Sequence, residues 1–251
     1  MFPYRDENQT QHTSIVTVAI IALNVLAWLF LQGAGSTFAL AKSVCELGLI
    51  PGELLLSVQP GTQFPMGENL VCVIDPGRQI SNLITSMFLH GSWLHLLGNM
   101  WFLWIFGNNI EDSMGHLRFV VFYLVCGLAA AFGQIAANPS SVIPMVGASG
   151  AISGVMGGYL ILFPRIRVYA LIFLGFFFTS VGMPAWVMLG YWFFIQLVSG
   201  LVSVGAEGGV AFWAHAGGFI AGVVLIKLFI RPDYLEAHRQ HHWRPRRLMY
   251  E

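Results

Sequence analysis

The chain has 251 residues, 56% of them hydrophobic and 10% charged, with 12 Lys and Arg balanced by 12 Asp and Glu. Soluble domains run near a quarter charged, so a water-soluble globule could not hide this much apolar surface, and the membrane is the expected solvent. Zero net charge, the lack of a basic stripe and the lack of a zinc-type Cys/His spacing argue against a nucleic-acid partner and against a structural metal.

In chain order, a segment 1–14 precedes a first apolar run, Ile15 to Leu31. That run is long for a signal-peptide core, its leader carries Asp6 and Glu7 beside Arg5, and the small triplet Ala39-Leu40-Ala41 lies well beyond its end, so it reads as a span. A long loop, 33–80, carries Cys45 and Cys72. Further spans are expected at 83–106, 119–137, 147–163, 184–204 and 210–230, which makes an all-α polytopic membrane protein of six helices over 15–230. Val168 to Val181 is a run of 14 mostly apolar residues closed by Gly182 and Pro184. As a helix it would rise about 21 Å, short of roughly 30 Å of hydrocarbon, and it reads as interfacial or re-entrant. Residues 231–251 form a basic tail.

Charge orients the bundle. Six spans place Arg5, Arg118, Arg165, Arg167, Lys227, Arg231, Arg239, Arg244, Arg246 and Arg247 on the side of the termini and only Lys42 and Arg78 on the other, a split of 10 against 2. The termini are therefore expected in the cytoplasm and the loop 33–80 outside it. An extracytoplasmic Cys45 and Cys72 can form a disulfide, with two free thiols as the alternative; Cys126, inside the third span, reads as a packing residue.

The second, fourth and sixth spans all begin at the outer face. His90, His95 and Asn99 sit early in the second, Ser149 early in the fourth and His215 early in the sixth, so three helices bring polar groups to one depth. Polar side chains in lipid are costly and usually mark function. Ser149 to Phe163 is also short, about 22 Å of helix, so its start should lie below the surface, reached by a non-helical stretch, Pro139 to Gly147, that lines a wet cavity. Unpaired N–H groups at that helix start are placed to stabilise an oxyanion. Gly150, Gly154 and Gly158 on the fourth span and Gly218 and Gly222 on the sixth recur every four residues, and such ridges let backbones approach closely enough for a Ser–His hydrogen bond between helices.

Each feature alone has an ordinary reading. Gly-x-Ser-Gly occurs in helix packing, His215 could be a satisfied interior histidine, and His95 with Asn99 could be interhelical glue. Packing alone, however, does not require a nucleophile, a base and two donors to share a level. A soluble hydrolase elbow wants Gly-x-Ser-x-Gly after a strand, whereas position 151 is Ala. A metal held by His90, His95 and His215 would lack a carboxylate apart from Glu207, and the same lack makes the catalytic group a dyad rather than a triad.

With these residues in hand, the chain resembles the rhomboid family of intramembrane serine proteases over residues 75 to 230. His90-Gly-Ser-Trp-Leu-His95-Leu-Leu-Gly-Asn99 is similar to the family's oxyanion segment, Gly147-Ala148-Ser149-Gly150 to its nucleophile motif, and Ala214-His215-Ala-Gly217 through Gly222 to its base motif. Glu111 and Gly115 resemble a structural pair of the family. The resemblance implies a six-helix rhomboid-type bundle that cleaves single-span membrane proteins in or near the bilayer, without cofactor, metal or nucleotide. Ser149 would be the nucleophile, His215 the base, His95, Asn99 and the Ser149 N–H the oxyanion donors, and His90 structural. Two positions depart from the family. The Trp-Arg pair usual before the second span is Ser81-Asn82, and the aromatic that packs under the base in some members is Ser153. The alternative functions are a rhomboid-like pseudoenzyme that binds transmembrane clients without cutting them and a solute transporter. The pseudoenzyme reading would expect loss of Ser149 or His215; the transporter reading would expect midplane charges or an inverted repeat, and the sequence has neither.

Overall fold

A computed structural model describes residues 2–67, 69–174, 177–202 and 210–242. Arg244, Arg246, Arg247 and Glu207 lie outside these residues. In chain order the elements are β1 (Phe2–Asp6), α1 (Ile15–Leu26, continued by a π-helical turn over Ala27–Leu31), α2 (Thr37–Leu47), α3 (Pro51–Leu54), β2 (Gln63–Gly67), β3 (Leu70–Val73) and α4 (Asn82–Thr85). They are followed by α5 (Trp93–Met114), α6 (His116–Ala137), α7 (Ser149–Leu162), β4 (Arg167–Leu174), β5 (Phe177–Pro184), α8 (Ala185–Val202), α9 (Phe212–Phe229) and α10 (Pro232–His242).

The six stretches expected as spans are all largely helical. Of these, α6, α8 and α9 are each long and apolar enough to cross a membrane; Ile15–Leu31 and α7 are apolar but shorter. Side chains such as Ile220, Val224 and Leu228 recur every four residues on α9 and are exposed, a stripe that water would penalise and lipid tails would not. Trp28, Phe106, Phe119, Phe122, Tyr123 and Tyr159 fill the interior of the bundle.

Three expectations need correction. The chain is not all-α: β4 and β5 form an antiparallel hairpin, β1 pairs with β4 to give the sheet order β1-β4-β5, and β2 pairs with β3. The run at 168–181 is therefore mostly strand, as its β-branched and aromatic residues favour once a third strand completes the sheet. The second span is not one helix over 83–106. It breaks at 89–92 and restarts where the Ser92 hydroxyl accepts from His95 N–H at 3.1 Å, running on to Met114. Nor is the segment after 231 simply a tail, because α10 docks its buried His238 on Asp112.

That end of the bundle is fastened by carboxylates. Glu111 accepts from the N–H groups of Val16 and Thr17 at 2.9 and 2.8 Å, capping α1, and from His116 Nδ1 at 2.6 Å. Gly115 joins α5 to α6 at φ 81°, a conformation side chains resist. Burial opposes ionisation of Asp112, but hydrogen bonds from His238, the Gln11 N–H and His12 outweigh it and hold the carboxyl below the usual range.

The opposite end carries the loop 33–80. Asn82 Nδ2 donates to the carbonyls of Glu46 and Gly48 at 3.1 and 2.9 Å, and Thr85 Oγ1 to Leu47 O at 2.8 Å, so the Ser81-Asn82 departure supplies an anchor of its own. Cys45 and Cys72 are joined in a disulfide with Cα atoms 5.6 Å apart, tying α2 to β3. The loop in turn holds the non-helical stretch before α7. Leu49 and Met145 exchange backbone hydrogen bonds at 3.0 and 2.7 Å, Gly52 N–H bonds Ser141 O at 2.9 Å, and Gly147 N–H bonds Ser86 O at 2.9 Å. These bonds satisfy backbone groups that the helices leave unpaired.

Candidate active site

Ser149 is the first residue of α7, and no side chain caps that helix end. Its hydroxyl comes within 2.7 Å of His215 Nε2, early on α9, and the imidazole is buried. The two helices meet this closely because they touch backbone to backbone. A side chain on Gly218 would collide with the Gly150 carbonyl, one on Gly222 with the Gly154 carbonyl, and one on Gly157 with the Phe219 carbonyl. Gly157 makes the backbone contact that the four-residue spacing assigned to Gly158, which instead faces the Ile226 side chain of α9, 3.0 Å from where a Cβ would stand. Gly150 and Gly154 lie against Ala130 and Cys126 of α6, and Gly217 against the Ala129 carbonyl, so α6 completes a close-packed trio.

His95 enters from α5. Gly91 N–H donates to its Nδ1 at 3.3 Å, so that nitrogen is the acceptor and Nε2 carries the proton. Gly147, at φ 134°, makes room for the ring: a side chain there would begin 2.9 Å from His95 Nε2 and 3.5 Å from Ser149 Oγ. The donor edge of His95 thus borders the serine. Asn99, one turn further along α5, is buried, and its Nδ2 has no hydrogen-bond partner among the described residues. A buried donor left unpaired is costly and rare.

His90 is fully buried just before α5. Its backbone is clamped by Gln32, whose amide donates to His90 O at 2.7 Å and accepts from His90 N–H at 2.8 Å, while its ring lies edge-on to His95 at 5.0 Å. It packs against His95. Ser153 turns its hydroxyl back to Ser149 O at 2.6 Å.

A cavity of about 540 Å³ opens over these groups, lined by His95, Asn99, Ser149, His215, Met145 and Trp192 among others. It is large enough to admit a stretch of peptide and apolar on most of its walls. A hydroxyl, an imidazole in contact with it and two further donor side chains converge on it, a geometry suited to acyl transfer.

Sequence reasoning did not anticipate the contribution of α8. Gln196 Oε1 lies 2.8 Å from His215 Nδ1, and the Trp192 ring lies 5.8 Å from the imidazole at an interplanar angle of 39°. The available signal was that Gln196 is the sole amide in that apolar helix.

A Rhomboid domain model matches residues 77–232. The chain is 32% identical over 153 residues to RHOMBOID-like protein 4 of Arabidopsis thaliana, covering 61% of this chain and 35% of that protein. It is 33% identical over 156 residues to Rhomboid-like protease 5 of Toxoplasma gondii, covering 58% and 16%, and 28% identical over 225 residues to RHOMBOID-like protein 1 of Arabidopsis thaliana, covering 87% and 53%. The matched regions thus amount to between 16% and 53% of these relatives' lengths.

Proposed function

Because this chain belongs to the rhomboid family, we propose that it is an intramembrane serine endopeptidase that cleaves single-span membrane proteins in or near the bilayer. The observation that carries this reading is the 2.7 Å approach of Ser149 Oγ to His215 Nε2 between two helices packed backbone to backbone. Ser149 Oγ attacks the scissile carbonyl carbon as its proton passes to His215 Nε2. The carbonyl oxygen, now anionic, is bonded by His95 Nε2–H, Asn99 Nδ2–H and the Ser149 N–H at the positive end of α7. Collapse breaks the C–N bond, the imidazolium hands its proton to the leaving amine, and water then hydrolyses the Ser149 ester by the same route in reverse. A helical substrate hides its carbonyls in its own hydrogen bonds, so segments with glycine and other small or turn-forming residues, which unwind at low cost, are the preferred substrates.

The proposed topology has six crossings with both termini cytoplasmic, supported by the 10-to-2 partition of basic residues. The cavity then opens on the extracytoplasmic side, under the loop 33–80.

The test is fluorophosphonate labelling of the purified protein together with cleavage of a single-span reporter. Wild type should label and cleave; Ser149→Ala should do neither, and His215→Ala should lose cleavage while remaining folded. Near-wild-type cleavage in either variant would remove the dyad assignment, and a wild type inert in both assays would favour a client-binding protein instead.

A further inference from the structure

His215 is held from two helices. Ser149 of α7 meets Nε2 at 2.7 Å, and Gln196 of α8 meets Nδ1 at 2.8 Å. Gln196 is 8% exposed, so this hydrogen bond is sheltered from competing water. Trp192 sits one turn before it on the same face of α8, with its ring against the imidazole. Ser153 bonds the α7 backbone and offers the base nothing to lean on, so the orientation that an aromatic at that position would give falls to α8.

We propose that Gln196 is the positioning residue of the base, fixing the His215 ring and its tautomer through the Nδ1 hydrogen bond. This rests on the serine-protease reading above. A neutral imidazole carries one N–H, and an amide oxygen can only accept, so the proton is placed on Nδ1 and Nε2 is left to accept from the Ser149 hydroxyl. The reversed amide would donate to Nδ1, put the proton on Nε2 and leave the serine without a base. When His215 takes the serine proton, both ring nitrogens become donors and the same amide oxygen still accepts from Nδ1, so no partner has to move during the reaction. A carboxylate plays this part in soluble triads. An uncharged amide does it here at a far smaller desolvation cost in an apolar interior. Among the described residues, His95 from α5 is the titratable side chain that acts on His215 electrostatically.

Two variants and one spectrum test the assignment. Gln196→Leu keeps volume but cannot accept, and should lower kcat by about 10²-fold, as a misplacement of about 1 Å does, with KM unchanged. Gln196→Glu, when ionised, can only accept, and should recover much of that rate while moving the acid limb of the kcat profile up by about 1 to 3 pH units, since a neighbouring carboxylate favours the imidazolium. A merely structural glutamine predicts the opposite ranking, because a buried carboxylate disturbs packing more than leucine does. In 15N spectra of histidine-labelled protein, with His215 assigned by its loss in His215→Ala, wild type should show Nδ1 protonated, and Gln196→Leu should not hold that state. The proposal is overturned if Gln196→Leu cleaves within about twofold of wild type, if Gln196→Glu is no faster than Gln196→Leu with its acid limb unmoved, or if wild-type His215 carries its proton on Nε2. A wild type that neither cleaves nor labels would sink the protease reading, while the 15N spectrum would still decide the role of Gln196.

Discussion

Asn99 is a buried amide whose Nδ2 has no partner among the described residues, on the wall of the cavity that holds Ser149. The desolvation of that group is offset only when something in the cavity accepts from it, and an oxyanion accepts best in the transition state. Asn99→Ala should therefore lower kcat, toward the lower end of the 10²- to 10³-fold range seen when one such donor is lost, because His95 and the Ser149 N–H share the charge. KM should change little. Steady-state kinetics on a transmembrane reporter checks this, and an effect confined to KM would make Asn99 a binding or packing residue. At this scale Ser149, His215, His95 and Asn99 could be singled out from the sequence because polar residues in apolar spans are few. Gln196 carried the same signal as the lone amide of α8, but its pairing with His215 and the Gly91–His95 hydrogen bond could not be read. Each depends on which helix faces which, and a linear pattern of polar residues does not encode that.

Among the elements, the glycine faces of α7 and α9 make the sharpest claim. A side chain at Gly222 would collide with the Gly154 carbonyl, and one at Gly154 with Cys126 of α6. Gly222→Leu should force α9 away from α7, and Gly154→Leu should force α7 away from α6, at an overpacking cost of about 1 to 3 kcal/mol each. Both should lose fluorophosphonate labelling, since Ser149 and His215 can no longer share a proton. Wild-type labelling in either variant would place that glycine outside the contact. β1 gives a second prediction. Asp6 accepts from the Tyr159 hydroxyl at 2.7 Å and Asn109 Nδ2 at 3.0 Å, yet burial pushes its carboxyl up from 3.8 to about 6. A carboxyl raised on folding stabilises the fold fully below about pH 4, its ordinary value, and that stabilisation is lost as pH rises through about 6. After correction for intrinsic rates, the β1 amides should exchange faster at pH 7 than at pH 5, and Asp6→Asn should abolish the difference. An unchanged pH dependence in Asp6→Asn would assign the effect elsewhere. The sheet itself was hidden from sequence reading because β1 and β4 lie more than 150 residues apart and each is too short to declare itself.

For the whole molecule, the positions of the long apolar helical stretches followed from apolar run length, and the expectation that Ser149, His215, His95 and Asn99 share one place agrees with the cavity they line together. The fastening of the loop 33–80 had no such pattern behind it, and it turns out to reach the cavity over Ser149. Cys45 and Cys72 tie α2 to β3, α2 leads into Leu49, Leu49 pairs with Met145, and Met145 lines the cavity two residues before Gly147 and the serine motif. If that face is extracytoplasmic, as the basic residues argue, the disulfide forms in an oxidising compartment and persists there. It closes 28 residues, counting 72 − 45 + 1, and the chain-entropy model gives loops of that length roughly 3 to 4 kcal/mol. Protein made in a host with an oxidising exterior should yield the linked Cys45–Cys72 peptide by mass spectrometry without reduction. Mild reductant should then speed proteolysis within 46–71 and lower kcat, because the stretch that presents Gly147 and Ser149 loses its backing, while Cys126, buried between α6 and α7, stays unreactive. Alkylation of both Cys45 and Cys72 as free thiols in such protein would end the disulfide and weaken the orientation with it, and reduction without change in kcat would show that the loop can loosen without disturbing the serine.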